Sequence, residues 1–323
     1  MTQQHPDESR IPKIAIVLPC FNENESIRHA ADQLLAIFAD LIAKHEIASD
    51  SFLFFVDDGS KDDSWQILES IQQSQPAVKG LKLSRNFGHQ AALLAGLMAV
   101  IAECDAAISI DADLQQDPFA ITKFVAEFKR GADVVMGVRR DRGTDTWFKK
   151  QSATGFYTLM KYMGVKTIPN HADYRLLSRR ALEALARFPE PDIFLRATCL
   201  QLGFRTSIVL FDVKERAFGT TKYSLVKMLR LAIHSITSFS VMPLRLVAVL
   251  GLTIFLMSVG MSGYVAWQAL VVGDTIPGWA SITLPIYFIG GIQLLCLGIV
   301  GEYIGHICQV VKKRPRWIEE KRI

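Results

Sequence analysis

Cysteine is scarce in this 323-residue chain: there are five, Cys20, Cys104, Cys199, Cys296 and Cys308, and none stands in a CxxC pair. Thiols scattered in this way give neither a disulfide framework nor a zinc site, and they are read as free. Charge of one sign is nearly missing too. The 36 Lys and Arg oppose 32 Asp and Glu, a formal net charge of +4. So small a surplus argues against nucleic acid as a partner and turns attention to where the basic residues stand. The opening residues, MTQQHPDESR, have no basic stretch leading into an apolar one, so no signal peptide is expected. Internal repeats and low-complexity segments are absent as well. What is plentiful is apolar. Hydrophobic residues make up 50% of the chain, and the mean hydropathy of +0.22 is high for a purely soluble protein.

Over the first two thirds, short apolar runs alternate with amphipathic stretches. Strands are predicted at Lys13–Pro19, Phe52–Asp57, Gly80–Ser84, Ala106–Asp111 and Asp133–Val138. Helices are predicted at Ser26–Lys44, Ser64–Gln73, His89–Ala102 and Ile121–Arg130. This alternation implies an α/β domain, a mostly parallel sheet with helices on both faces. Ligands of such sheets gather at the carboxyl ends of the strands.

The last third changes character. Leu246–Val272 and Ala280–Gly301 carry no charge, and each exceeds the ~20 residues that cross a bilayer, so two transmembrane helices are expected. A buried core helix is the alternative, which two such runs in tandem disfavour. The connector Gly273–Trp279 has no Lys or Arg. The outer flanks are basic, with Lys227, Arg230 and Arg245 before the first run and Lys312, Lys313, Arg314 and Arg316 after the second. That asymmetry puts the large domain and the C-terminus in the cytoplasm. It also favours contact of the basic tail with anionic lipid heads. Ser224–Ser240 is amphipathic and reads as a helix in the membrane interface, or else as a surface helix packed on the domain. Gly251, Gly260 and Gly263 would allow close helix packing, which leaves a homo-oligomer open.

The strongest chemical signal is Asp111-Ala112-Asp113-Leu114-Gln115, at the end of a predicted buried strand. In extended backbone, residues two apart point the same way, so Asp111, Asp113 and Gln115 are expected to offer three oxygens to one side. Oxygen ligands suit Mg²⁺ or Mn²⁺, and such an ion neutralises a diphosphate leaving group. A second acidic segment, Val56-Asp57-Asp58-Gly59-Ser60, ends another predicted strand. Its two carboxylates can accept hydrogen bonds from a base or ribose, or the loop simply caps the helix that follows. Pro19-Cys20-Phe21-Asn22-Glu23 follows the first strand and by itself reads as a turn.

Taken together and in this order, the three segments resemble the family 2 glycosyltransferases of GT-A fold. Further stretches are similar to that family's motifs: Leu83-Ser84-Arg85-Asn86-Phe87-Gly88, Asp133 to Arg139 followed by Arg142, and Ala172-Asp173-Tyr174-Arg175-Leu176-Leu177. Arg216 to Tyr223 is similar to an R-x-x-G-x-S-K-Y loop, with Thr221 in place of the usual Ser, and Gly301 to Gly305 with Lys313-Arg314-Pro315 also matches. The likeness covers nearly the whole chain. It is nearest to bacterial polyprenyl-phosphate glucosyltransferases that modify O-antigen, with dolichol-phosphate mannose synthases more distant.

The resemblance implies a GT-A catalytic domain over residues 12–211, after a polar tail at 1–11. An acceptor loop and amphipathic juxtamembrane helices would occupy 212–243, two transmembrane helices 244–304, and a basic cytoplasmic tail 305–323. It implies nucleotide-sugar contacts from Pro19, Phe21, Asn22, Glu23, Asp57, Asp58, Arg85, Asp111, Ala112 and Arg139. Arg142, Arg175, Arg216 and Lys222 would hold phosphate or acceptor, because the donor diphosphate and the lipid phosphate repel one another. Gly219 would let its loop approach a ligand. Asp113 with its metal and Asp173, the family's base, would be catalytic. A phosphate monoester has a second pKa of ~6, however, and needs little deprotonation. Asp173 therefore orients groups or takes the last proton, and a salt bridge with Arg175 is the alternative. His171 is a further titratable group nearby.

The implied reaction is inverting transfer of a hexose, glucose from UDP-glucose, to undecaprenyl phosphate at the bacterial inner membrane. Another sugar, mannose or an aminosugar, is the alternative. A processive polysaccharide synthase is a rival, but the chain has no Q-x-x-R-W motif. A lipid flippase would need charge within the spans, and a non-catalytic scaffold would be expected to lack the acidic metal motif.

Overall fold

The computed structural model describes residues 11–140, 171–188, 195–212, 279–312 and 314–323, with isolated positions between 247 and 267. The first unit carries one sheet. Its strands are β1 (Ile14–Cys20), β2 (Phe52–Asp57), β3 (Val78–Leu83), β4 (Ala106–Ser109), β5 (Val134–Arg139), β6 (His171–Ser178), β7 (Thr206–Phe211) and β8 (Glu319–Arg322). The spatial order is β7-β5-β6-β4-β1-β2-β3-β8. Strands β1, β2, β3 and β4 pair in parallel, as do β5 and β7. β6 runs antiparallel between β4 and β5, and β8 runs antiparallel along β3.

Strand alternation sorts the core onto two faces. In β1, Ile14, Ile16 and Leu18 face one cluster together with α1 (Ile27–Ala43), α2 (Ser64–Ser74) and α4 (Ala120–Lys129). Ala15 and Val17 face the other, with α3 (His89–Val100), α5 (Arg179–Ala186) and α6 (Leu195–Gln201). Both faces of the central strands are thus covered, which is why they read as unbroken apolar runs. Gly96 in α3 shows how close the packing is: a Cβ there would stand 2.5 Å from Val17 Cγ1 and 2.6 Å from Val56 Cγ2.

Five predicted strands and four predicted helices are present with ends shifted by one or two residues. β6 was read only as a motif, and β7, β8 and α5 carry no sequence-level prediction. The last residues are the clearest difference. Beyond Lys312, Lys313, Arg314 and Arg316, the basic residues expected beside lipid heads, Glu319–Arg322 forms a strand that closes the sheet edge. Gly80 and Ile323 exchange backbone bonds of 2.9 Å, and Ser84 N–H donates to the Ile318 carbonyl at 3.0 Å. The basic residues pair with the domain: Lys321 with Glu69 at 2.5 Å and Arg322 with Glu103 at 3.0 Å. A short, fully charged edge strand suits a row of backbone groups that must be paired or blunted.

The second unit comprises residues 158–165 and 223–312. Its described part is dominated by α7 (Trp279–Val311), which contains the second uncharged run and continues beyond it. Among the described residues no helix is long and apolar enough to cross a membrane. The first uncharged run lies largely outside the described residues, as do the amphipathic stretch Ser224–Ser240, Arg142, Arg216, Gly219 and Lys222.

A chain ending at Arg316 loses β8 and the packing of Trp317 and Ile323. Its melting temperature, followed by circular dichroism, should fall by about 5–10 °C, the shift that a loss of ~2–3 kcal/mol gives a domain of this size.

Candidate functional site

The acidic segments stand where strands end. After β1, the chain turns at Asn22, with φ of 53°, and is knitted to the loop after β2. Asn22 N–H donates to Ser60 Oγ at 2.9 Å, Lys61 N–H donates to Asn22 Oδ1 at 2.9 Å, and Glu23 N–H donates to Ser64 Oγ at 3.0 Å. Pro19 is buried within β1 opposite Val56, and Phe21 is 40% exposed at the rim. Asn22 is therefore held by loop backbone, and the Glu23 carboxylate accepts from Ser26 Oγ at 2.8 Å.

The two carboxylates after β2 have separate duties. Asp58 Oδ1 accepts from Phe87 N–H at 2.7 Å and Oδ2 from Gly88 N–H at 2.9 Å, so this side chain clamps the loop leading into α3. Asp58, expected as a nucleotide contact, thus has a structural duty in the loop. Asp57 Oδ1 accepts from Ser60 N–H at 3.0 Å, while Oδ2 is buried without a hydrogen-bond partner. Of the pair, only Asp57 keeps an oxygen in need of a donor. Burial pushes both carboxyls above the ordinary range, and the amides of Ser60, Phe87 and Gly88 offset part of the shift. Gly59, with φ of 68°, is required here: a Cβ would lie 2.5 Å from the Arg85 carbonyl carbon. Arg85 itself is exposed and stacks over the Phe87 ring at 4.0 Å.

The Asp111–Gln115 segment differs from its expected geometry. β4 ends at Ser109, Leu114 N–H bonds back to the Asp111 carbonyl at 3.1 Å, and Leu114 has φ of 46°. The segment is a turn, so the two-residue alternation of a strand does not apply. Gln115 does not stand parallel to the two carboxylates as an extended segment would place it; its Nε2 donates to Asp113 Oδ2 at 2.6 Å. Gln116, unmarked in the sequence, donates to Asp111 Oδ2 at 2.7 Å. Ala112 is buried under the turn, and Asp113 points to solvent. Burial raises the Asp111 pKa, with His89 opposing it and the neighbouring acids Asp173 and Asp113 adding to it.

Among the described residues no three His, Cys, Asp or Glu side chains are grouped to hold a metal ion. Two adjacent carboxylates still fit a hard divalent cation of the kind that takes one or two carboxylates and completes its shell with substrate phosphate oxygens. They do not fit an all-protein cage.

Across from this turn, β6 places Asp173 and Arg175 on the face covered by α6. Arg175 has no exposed surface. Its Nη2 donates to Asp173 Oδ1 at 2.5 Å, and Nη1 lies 3.6 Å from Cys199 Sγ. An acceptor phosphate cannot reach it, which corrects its expected role in acceptor binding. Arg196, on α6, grips the same carboxylate with Nε at 3.2 Å from Oδ1 and Nη2 at 2.9 Å from Oδ2. His89 opens α3 with Nε2 3.6 Å from Asp111 Oδ1 and 3.9 Å from Asp173 Oδ2, joining the two acidic groups. Burial alone would raise the Asp173 pKa, but Arg175 and Arg196 outweigh it and hold the carboxyl well below the usual range. Arg139 is exposed at the end of β5.

His89, Arg196 and Gln116 escaped the sequence reading. His89 is one residue beyond the Leu83–Gly88 stretch. Arg196 has no local signal; only a buried Asp173 in need of a second cation points to it.

Residues 15–186 match the model described as glycosyl transferase family 2, and residues 242–307 match the one described as the GtrB C-terminal hairpin. The chain is 48% identical over 308 residues to an uncharacterized glycosyltransferase, YkoT, of Bacillus subtilis (strain 168), covering 95% of this chain and 90% of that protein. It is 36% identical over 310 residues to the SfII prophage-derived bactoprenol glucosyl transferase of Shigella flexneri, covering 96% and 98%. Among solved structures it is similar to glucosyl-3-phosphoglycerate synthase from Mycobacterium tuberculosis in complex with phosphoglyceric acid. That likeness has 20% identity and a TM-score of 0.49, over 71% of this chain and 80% of the other.

Replacing Asp173 by Asn leaves Arg175 buried without a counter-charge, a loss of about 3–5 kcal/mol in urea unfolding at neutral pH. A carboxyl whose folded pKa is depressed stabilises fully above its unfolded value. The gap between wild type and Asp173→Asn should therefore hold from pH 7 to about 5 and narrow below pH ~4.

Proposed function

The chain belongs to glycosyl transferase family 2, and from that premise we propose that it transfers glucose from UDP-glucose to a polyisoprenyl phosphate, undecaprenyl phosphate, with inversion at the anomeric carbon. That it is a glycosyltransferase follows from the family; the sugar and the acceptor are our reading. One observation carries it. The acidic turn at Asp111–Asp113 and the guanidiniums around Asp173 meet at His89, so a donor diphosphate and an anionic acceptor can be brought together between them. The match to bactoprenol glucosyl transferases along nearly the whole chain supports the same acceptor.

Asp111 and Asp113 would hold Mg²⁺ or Mn²⁺ jointly with the donor diphosphate, and the ion would neutralise charge on the departing diphosphate. Asp57 stays assigned to the nucleotide by resemblance; its unpaired oxygen is buried, so a base N–H reaches it only if the loop after β2 shifts. Arg85 and Arg139, both exposed at the carboxyl ends of the sheet, are placed to add positive charge toward phosphates. Arg142, Arg216 and Lys222 remain assigned by resemblance to phosphate and acceptor.

We place the protein at the bacterial cytoplasmic membrane, with the catalytic domain on the cytoplasmic side. The uncharged runs support this, as do the exposed Ile282, Ile286, Leu297, Ile304 and Ile307 on α7. The match of residues 242–307 to a hairpin agrees with two apolar helices in tandem. Anchoring beside the bilayer raises the effective concentration of an acceptor confined there.

Membranes holding the protein, given undecaprenyl phosphate, Mn²⁺ and labelled UDP-glucose, should yield label in an organic-extractable lipid, and EDTA should abolish it. Label from GDP-mannose or UDP-GlcNAc in place of UDP-glucose would change the sugar. No lipid label from any donor would refute the acceptor. Asp113→Asn should lower turnover by about 100-fold or more while leaving the fold intact, the scale expected when charge stabilisation at the leaving group is removed.

A further inference from the structure

We propose that His89 reads a hydroxyl group of the donor hexose: its Nε2–H donates to the hydroxyl oxygen, and the hydroxyl hydrogen goes to Asp111 Oδ1. This deepens the transfer reading above and rests on it for the identity of the sugar.

The backbone places the ring. α3 is apolar after its first two residues, and His89 is its one titratable side chain. The loop before it is fixed, because both oxygens of Asp58 hold the amides of Phe87 and Gly88. Gly88, with φ of 96°, turns the chain into the helix. Side chains lean toward the N-terminus of a helix, so a residue in this position is carried forward to the strand ends, where the acidic turn stands. The ring arrives with Nε2 3.6 Å from Asp111 Oδ1 and 3.9 Å from Asp173 Oδ2.

Both distances exceed the roughly 2.7–3.2 Å of a hydrogen bond, so the ring bonds to neither acid. Among the described residues its nitrogens have no other hydrogen-bond partner. Nor is the ring packed away as a structural histidine would be. Its side chain is 44% exposed and that of Asp111 is 34% exposed. The Asp111 carboxylate is only half used: Oδ2 accepts from Gln116 Nε2 at 2.7 Å, while Oδ1 faces the ring. Asp173 Oδ2 already accepts from Arg196 at 2.9 Å. Two carboxylates facing Nε2 favour the tautomer with its hydrogen on that nitrogen. A donor and an acceptor thus face one another across a gap slightly too wide to bond. One oxygen at ~2.8 Å from each would close it.

The occupant must accept from an N–H and donate to a carboxylate through a single atom. A hydroxyl does both. A phosphate oxygen only accepts and would stand against two carboxylates, and an ammonium only donates. Position agrees with chemistry. The hexose is the part of the donor that lies between the departing diphosphate and the incoming acceptor, and His89 lies between Asp111 and Asp173. A carboxylate oxygen has two lone pairs, so a metal ion on Asp111 does not exclude the hydroxyl.

Binding is measured by calorimetry on the full chain in detergent with Mn²⁺, for wild type, His89→Ala and His89→Gln. The ligands are UDP, UDP-glucose and its four monodeoxy analogues, lacking the hydroxyl at C2, C3, C4 or C6. None needs the lipid acceptor, so a wrong acceptor leaves the result untouched. Wild type should bind one analogue about 10–100-fold more weakly than UDP-glucose, the loss expected for a hydroxyl bonded to a charged group. In His89→Ala that ratio should shrink about 3–10-fold, while the ratios for the other three analogues stay the same, which couples the ring to one hydroxyl. His89→Gln keeps an N–H and should recover part of the discrimination. UDP should bind all three proteins within about twofold. If His89→Ala does not fold by circular dichroism, His89→Phe, which keeps the bulk of the ring without its N–H, takes its place. A loss in His89→Ala shared equally by UDP and every sugar nucleotide would make the ring a spacer between two acids and overturn the proposal. Ratios unchanged by His89→Ala, or no deoxy penalty in wild type, would overturn it too. If wild type binds GDP-mannose or UDP-GlcNAc but not UDP-glucose, the choice of sugar fails separately, and the same cycle on that donor's deoxy series decides for His89. Binding of none of the three donors overturns both readings.

Discussion

A carboxylate withdrawn from water must be compensated, and much of this site is the set of compensations. Asp57, Asp58 and Asp173 are buried and Asp111 is half-buried, all near the strand ends where such sheets gather ligands. Their partners differ: Asp57 takes one amide of its own loop and keeps an unpaired oxygen. Asp58 ties the β2 loop to the entry of α3 through two backbone amides. Asp111 ties the turn after β4 to Gln116. Asp173 ties β6 to α6 through two guanidiniums. The site's geometry is thus the by-product of satisfying its own charges.

The compensations also divide the labour. Where backbone amides and burial nearly balance, as at Asp57 and Asp58, the carboxyls drift upward in pKa and serve as hydrogen-bond acceptors. Where two fixed cations surround one acid, as at Asp173, they outweigh its burial and hold the carboxyl low. His89, between Asp111 and Asp173, links the two acidic groups without belonging to either segment in sequence.

The edge strand β8 shows how a local reading can be overtaken. The tail's Lys and Arg stand beside an apolar run, and that pattern favours lipid heads. Further along, Lys321 and Arg322 follow Glu319 and Glu320 on a four-residue strand and find Glu69 and Glu103 on the domain. Composition could not separate these outcomes, because the acidic partners are more than two hundred residues away along the chain.

What the sequence by itself determined is whatever has a period or a local order. The buried strands from β1 to β5 and the helices α1 to α4 were legible because apolar spacing repeats every two or 3.6 residues. The acidic loops were legible because they follow those strands directly, and their order carried the family. What only the tertiary structure decided is whatever depends on partners distant along the chain. It made Asp111–Gln115 a turn and set the Gln115 amide against Asp113. It sealed Arg175 and brought Arg196 and His89 to Asp173. It set Asp58 to clamp backbone and left Asp57 with a buried, unpaired oxygen. The reason is physical: side-chain periodicity is a property of neighbours in sequence, whereas the compensation of a buried charge is a property of neighbours in space.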